Sequence, residues 1–343
     1  MYIPEFLITT NILRSIGKVE YCRAVLEEIP IQENISSNLQ KEALAKNVFH
    51  AHHFDASAIT LQTVRQIIDT QNVQVSQKLN KELNSYKKVY EDIPKLGKLD
   101  LQSLKKMHRN LLEDLAPDFV RGTFRTTALI SNPNNIINPA PDEILARLTS
   151  FFEWFLSHEA MDLPTPLRTA VLYLEIFRIS PFEIENKKMA GLASLLDLYV
   201  EKYDTKRVLA LEWVFDESPT GFYFAVKTTQ NQTGDITKWL EYFLFGLASE
   251  YERVKEKILT LAKDAKLRRV AGMTPLNDRQ EKILEFIHDF GQMQNKDFSR
   301  LFPQISEDTI LRDLKDLIVK NLVEKVGSTK SSRYRLKDNQ NKM

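Results

Sequence analysis

The sequence predicts a mainly α-helical protein, with one small β-hairpin inside a helical body and a C-terminal unit of three helices closed by a second, basic hairpin. Three observations carry this. Only ten of the 343 residues are glycine. Long windows place apolar residues at i, i+3 and i+4, the spacing of one helix face. That rhythm breaks where β-formers surround turn residues, at 119–138 and at 323–336.

In 38–54, apolar Leu39, Leu44, Val48 and Phe49 interleave with Lys41, Glu42 and Lys46, which predicts an amphipathic helix. Thr60 is an N-cap candidate for a helix over 61–70, and 79–90 and 101–115 repeat the pattern. In 119–138, Thr123, Phe124, Thr126 and Ile130 favour strands, and SNPNN after them is turn chemistry, so a hairpin is expected. Helices return over 143–157, 167–179, a stretch ending at Val200, and 239–261. The segment KDAKLRRVAGMTP, 263–275, reads as a linker. Beyond it come a helix over 278–290, a short one over 295–302 stopped by Pro303, and a third capped by Ser306 that carries Ile310, Leu311, Leu314, Leu317 and Ile318. VEKVGSTKSSRYRL then alternates like two strands about a Gly-Ser-Thr turn. That order is winged helix-turn-helix.

The composition is that of an ordinary soluble protein, with 43% hydrophobic residues, 27% charged and a net charge of +1. Near-neutrality argues against coating nucleic acid or membrane by bulk charge, so any such contact needs a local patch. The single Cys22 excludes an internal disulfide framework, fits a reducing compartment and reads as a buried thiol. MYIPEFLITT lacks the basic start and long apolar core of a signal peptide. The most apolar windows, LTSFFEWFL and WLEYFLFGLA, are short and broken by Glu153 and Glu241, so no membrane span is expected and the protein reads as cytoplasmic.

FRISPFEIENKKMAGL resembles the Fic (Fido) motif, His-Pro-Phe-x-Asp/Glu-Gly-Asn-Gly-Arg-x-x-Arg. GTFR at 122–125 resembles the start of that family's target-docking flap, and PAPDEI follows in the expected place. FYFAVKTTQNQTGDITKWLEYFLFGLA resembles the helices after the motif. HHFDASAITLQTV, 52–64, resembles an N-terminal segment bearing an inhibitory Ser/Thr-x-x-x-Glu-Gly signature. The resemblance implies a Fic-type helical core with a small β-hairpin flap, a terminal winged helix, and transfer of AMP from ATP to hydroxyl side chains.

At the motif positions the chemistry departs from that pattern. Ser180 stands where the resemblance puts the general-base histidine, and a serine hydroxyl takes no proton at neutral pH without a base of its own. Ile184 stands at the acidic magnesium ligand and offers no oxygen. Glu185 and Lys187 replace the two glycines that open backbone N–H groups to phosphate. Lys188 and Gly191 replace the two arginines, so the bidentate fork is absent. Pro181, Phe182 and Asn186 remain. In the inhibitory-type segment, Ala51, Asp55 and Ala56 fall at the Ser/Thr, glutamate and glycine positions.

Several alternatives stay open at this level. Ser180 with His52 or His53 as base is one, and Glu183 or Glu185 as a displaced magnesium ligand another. Asn186, Lys187 and Lys188 are candidates for holding an anion at a helix start. His50, His52, His53 and Asp55 are a candidate metal cluster, although adjacent histidines diverge on a helix and no metal site is assigned. Arg125 reads as a hairpin anchor. In the tail, Thr309, Arg312 and Lys315 would face a DNA groove and Lys330, Arg333 and Arg335 the phosphates. Glu307, Asp308, Asp313 and Asp316 on the same helix oppose this, whereas from Lys263 onward seventeen Lys and Arg face twelve Asp and Glu. Protein docking through that unit is the equal alternative, and the apolar stretch 239–248 could serve a homodimer.

The expected division is therefore an N-terminal helical region, 1–95, a Fic-like core, 96–262, the linker, 263–275, and the winged helix, 276–343. The leading functional expectation is a pseudo-enzyme acting in regulation or interaction. A protein AMP or nucleotidyl transferase with a rebuilt pocket, using ATP and magnesium, is the alternative; no cofactor is otherwise assigned.

Overall fold

The computed structural model describes residues 2–29, 33–53, 59–69, 75–129, 136–230, 234–271, 276–327 and 332–337. The chain divides into two compact units, Met1–Glu256 and Lys257–Met343.

Eleven α-helices lie wholly in the first unit among its described residues: α1 (Thr10–Glu28), α2 (Glu33–His53), α3 (Leu61–Ile68), α4 (Gln77–Leu96), α5 (Leu101–Leu111), α6 (Ile144–Phe155), α7 (His158–Met161), α8 (Thr165–Ile179), α9 (Asn186–Val200), α10 (Leu211–Asp216) and α11 (Pro219–Thr228); α12 (Thr237–Ala271) begins in it and runs past Glu256. A single 3₁₀ turn, Pro141–Glu143, leads into α6. Of the helix caps, Thr60 was expected and the pair at α5 was not. Thr60 accepts from the Thr63 N–H, and Asp100 and Ser103 close a capping box at α5.

The packing centre is the pair α8 and α9. Both are buried nearly all round, which a helix tolerates only inside a shell of other helices. That shell is α4, α5 and α10 against α9, and α1, α6 and α7 against α8. α12 closes the core through Trp239, fully buried, whose indole N–H donates to the Ala170 carbonyl at 2.7 Å. Tyr173, Phe215, Phe222 and Phe243 gather around that indole. The apolar face of 239–248 is thus core, and only Phe245 of its large side chains turns outward. Cys22 is fully buried.

One expectation is corrected. The stretch 263–275 is helical as far as Ala271, because KDAKLRRVA contains no helix breaker before Gly272. The flap expected over 119–138 carries no strand among its described residues, 119–129 and 136–138; its turn, 131–135, lies outside them.

The second unit follows the expected order, with α13 (Asp278–Phe290), α14 (Phe298–Leu301), α15 (Glu307–Val319) and strands β2 (Val323–Val326) and β3 (Arg333–Leu336). A two-residue strand β1 (Met293–Gln294), illegible in the sequence, adds to the other side of β3 and makes an antiparallel sheet of order β1-β3-β2. Ile283, Leu284, Ile287, Phe298, Ile310, Leu314, Leu317 and Tyr334 form its core. No helix among the described residues is long and apolar enough to cross a membrane.

Candidate functional site at the loop between α8 and α9

α8 ends where Ser180 turns into the left-handed region, φ 45° and ψ 64°, its N–H still bonding to the Ile176 carbonyl. α9 begins after Glu185, also left-handed at φ 64°. Each non-glycine residue there costs about 1 kcal/mol or more, so neighbouring contacts must hold the loop. Arg125, 2% exposed, provides the first set. Its Nε donates to the Ser180 carbonyl at 2.8 Å, its Nη1 to Thr127 and its Nη2 to Pro139, while its backbone N–H donates to the Pro181 carbonyl at 2.9 Å. Arg125 is therefore the flap anchor expected of it.

The second set is His108, which the sequence reading missed. Its ring stacks on fully buried Phe182, centroids 3.7 Å apart and 6° from parallel. Its Nδ1 accepts from the Gly122 N–H at 3.0 Å and its Nε2 donates to the Ile184 carbonyl at 3.2 Å. The Gly122 donor fixes the tautomer, since a proton on Nδ1 would face another N–H. Burial brings the imidazole down to about 4, so it is neutral at physiological pH. Gly122 is required at this approach. Its φ is +70°, and a Cβ there would lie 2.7 Å from the Lys105 carbonyl. The one signal in the sequence is that His108 shares a helix stripe with Leu104, Met107 and Leu111.

The motif-equivalent side chains are consumed internally. Ser180 Oγ donates to the Phe177 carbonyl at 2.6 Å. Asn186 staples the loop, accepting from the Phe182 N–H at 2.9 Å and donating to the Phe182 carbonyl at 2.7 Å. Glu183 accepts from the Thr126 N–H and the Thr127 hydroxyl, so it ties the flap down. Ile184 points to solvent, 46% exposed. Lys188 pairs with Glu185 at 2.7 Å, and Lys187 with fully buried Glu212 at 2.8 Å. Glu212, also unforeseen, explains Gly191: a Cβ there would meet its Oε1 at 1.8 Å.

The histidine alternatives do not assemble. His52 donates Nδ1–H to the Val48 carbonyl, and burial, followed by the positive charge of Lys188, brings it down to about 3. His50 and His53 both bond the Asp216 carboxylate, at 2.7 and 2.8 Å. Neither His52 nor His53 is brought to Ser180. Among the described residues no three His, Cys, Asp or Glu side chains are grouped to hold a metal ion. Ala51 is buried, and Asp55 and Ala56 lie outside the described residues.

In the second unit, Arg312 and Lys315 are exposed on one face of α15, together with Asp308 and Val319. Thr309 is half-buried and its hydroxyl bonds the Ser306 hydroxyl at 2.8 Å; Ser306 stands at the N-cap position, but its side chain takes no backbone N–H of α15, contrary to the expected cap. Arg333 and Arg335 are exposed on either side of buried Tyr334, and Lys330 lies outside the described residues. Two of the opposing acids are engaged in contacts within the unit. Asp313 pairs with Arg279 at 2.7 Å, and Asp316 with Gln280 and Lys320. Glu307 and Asp308 occupy the first turn, where the helix dipole favours them.

No family model matches the sequence. Solved structures do match. A Fic family protein from Desulfovibrio desulfuricans G20 superposes with a TM-score of 0.67 at 17% identity, over 99% of this chain and 100% of that one. The chain has the Fic fold. A Fic domain containing signaling protein from Bacteroides thetaiotaomicron VPI-5482 gives 0.58 at 17% identity, over 74% of this chain and 98% of its own. Fic-1 from C. elegans, residues 134–508, gives 0.59 at 15% identity, over 74% and 73%. At such identities the likeness establishes the fold. What this version of the Fic fold does chemically rests on its own side chains.

Proposed function

We infer that this Fic-fold chain does not transfer AMP and acts as a regulatory or interaction protein, with 276–343 as a winged helix that contacts DNA. The observation that carries the first half is the internal pairing of the α8–α9 loop. Ser180, Asn186, Lys187 and Lys188 each bond within the fold, so a triphosphate would have to displace every one. A magnesium ion finds no fit either. Ile184 brings hydrocarbon to the ligand position, and Glu183 is committed to Thr126 and Thr127. Proton abstraction from an attacking hydroxyl needs a base tuned near neutral pH, and the buried imidazoles His108 and His52, at about 4 and about 3, are far below that.

The exposed basic set Arg312, Lys315, Arg333 and Arg335 supports the second half, because Asp313 and Asp316 are spent on α13 and Lys320 and leave the outer face less acidic than the bare sequence suggests.

Labelled ATP with magnesium is expected to leave both this chain and added candidate proteins unlabelled. Ser180→His alone is expected to stay inactive, since Ile184, Glu185, Lys187 and Gly191 are unchanged. Label transfer by the wild-type chain, or by that single variant, would overturn the reading.

A further inference from the structure

A cavity of about 470 Å³ opens beside the last turn of α8, between the start of α6, the strap 137–140 and the end of α11. Its volume falls within the roughly 300–1,000 Å³ of small-ligand sites. It lies apart from the motif side chains and plays no part in the function argued above.

Its wall is charged with both signs. Glu175 sits on α8, 5% exposed, and its Oε1 accepts no hydrogen bond; the nearest cation, Arg178 Nη1, is 3.4 Å away. Arg147 faces in from α6, its Nε and Nη2 on Glu143 at 3.0 and 2.9 Å. Each guanidinium thus keeps N–H donors beyond those bonds, and the buried carboxylate keeps an acceptor. An apolar wall of Ile137, Pro139, Ala140 and Ile179 completes the cavity.

The strap's backbone is largely spoken for. The Gln230 side chain takes both the N–H and the carbonyl of Ile137, and Arg125 takes the Pro139 carbonyl. An added β-strand would find no free edge there, so recognition falls to the side chains. They ask for one cationic donor, one carboxylate and an apolar body between them. The volume exceeds what a single amino acid fills.

We propose that this cavity binds a short zwitterionic peptide, a di- or tripeptide with apolar side chains, its ammonium on Glu175 and its carboxylate on Arg178 and Arg147. The site requires both termini to be free, which separates it from a general peptide groove.

Calorimetric titration of the full chain with Leu-Leu, N-acetyl-Leu-Leu and Leu-Leu amide tests this. Leu-Leu is expected to bind, and each blocked form to bind roughly ten- to a hundred-fold more weakly, the cost of one charge-assisted hydrogen bond. Glu175→Gln should abolish the difference between Leu-Leu and its N-acetyl form. Arg147→Gln and Arg178→Gln should each narrow the difference from the amide. Arg147 is exposed, so its variant tests the site even if the Glu175 variant folds poorly. Equal binding of all three peptides, or none at millimolar concentration, would overturn the proposal. Neither result bears on ATP, so this site and the α8–α9 loop fail or stand separately.

Discussion

Gly191→Ala adds one methyl group beside a buried carboxylate. In a helix interior the change alone is worth about 1 kcal/mol in favour of alanine. Here the new Cβ would lie 1.8 Å from Glu212 Oε1 and 2.9 Å from its Cδ, so the carboxylate must move. Moving it breaks the pair with Lys187, which is 2.8 Å long with side chains 0% and 10% exposed. Disrupting a buried pair costs about 3–5 kcal/mol, which leaves a net destabilisation of about 2–4 kcal/mol. In a Glu212→Ala background there is nothing to displace, and Gly191→Ala should become neutral or stabilising by up to about 1 kcal/mol. The double-mutant cycle should therefore show a coupling near 3 kcal/mol. All three tryptophans, Trp154, Trp213 and Trp239, lie in the first unit, so their emission in a urea titration reports its unfolding alone. Additivity within about 0.5 kcal/mol would refute the account of Gly191 as the space that Glu212 fills. The same reasoning says that Gly191→Arg cannot be accommodated while Glu212 remains.

Other outcomes follow from the same contacts. His108 and His52 have folded-state values of about 4 and about 3, below the unfolded value near 6.5, so the unfolded chain binds the extra protons. Their contribution is present above pH 6.5 and lost as pH falls toward 4 and 3; for His108 the full effect is about 3 kcal/mol. Buried Asp197 and Asp204, raised to about 6 and about 7, act in the opposite sense, their contribution being lost as pH rises through those values. The difference between wild type and His108→Phe isolates the histidine, and a difference independent of pH below 6.5 would refute it. Arg125→Met strips donors from the Ser180, Thr127 and Pro139 carbonyls and should cost about 3 kcal/mol or more, with faster proteolysis between 119 and 140. DNA affinity should fall steeply with salt, and Arg333→Ala with Arg335→Ala should reduce the log–log slope by about 1.8. An unchanged slope would remove β3 from the interface.

Helices were legible because their causes are local. Thr60 caps α3 from the adjacent residue, and the apolar spacing of 278–290 and 307–319 closes within a few turns. The side-chain chemistry available at the loop was legible too, since Ser180, Ile184 and Gly191 carry no imidazole, carboxylate or guanidinium whatever surrounds them. The contacts of 123–127 were not legible, because Arg125 and Thr126 meet Ser180 and Glu183, more than fifty residues along the chain, and tie that stretch to the α8–α9 loop. The sequence by itself determined the helical order and which functional groups stand at 180–191. Tertiary structure alone decided that His108 stacks on Phe182, that Glu212 fills the space at Gly191, and that Lys187 and Lys188 are paired inward. The physical reason is range: periodicity and capping act over a few residues, whereas a buried polar group takes whichever partner the packing of distant helices brings within about 3 Å.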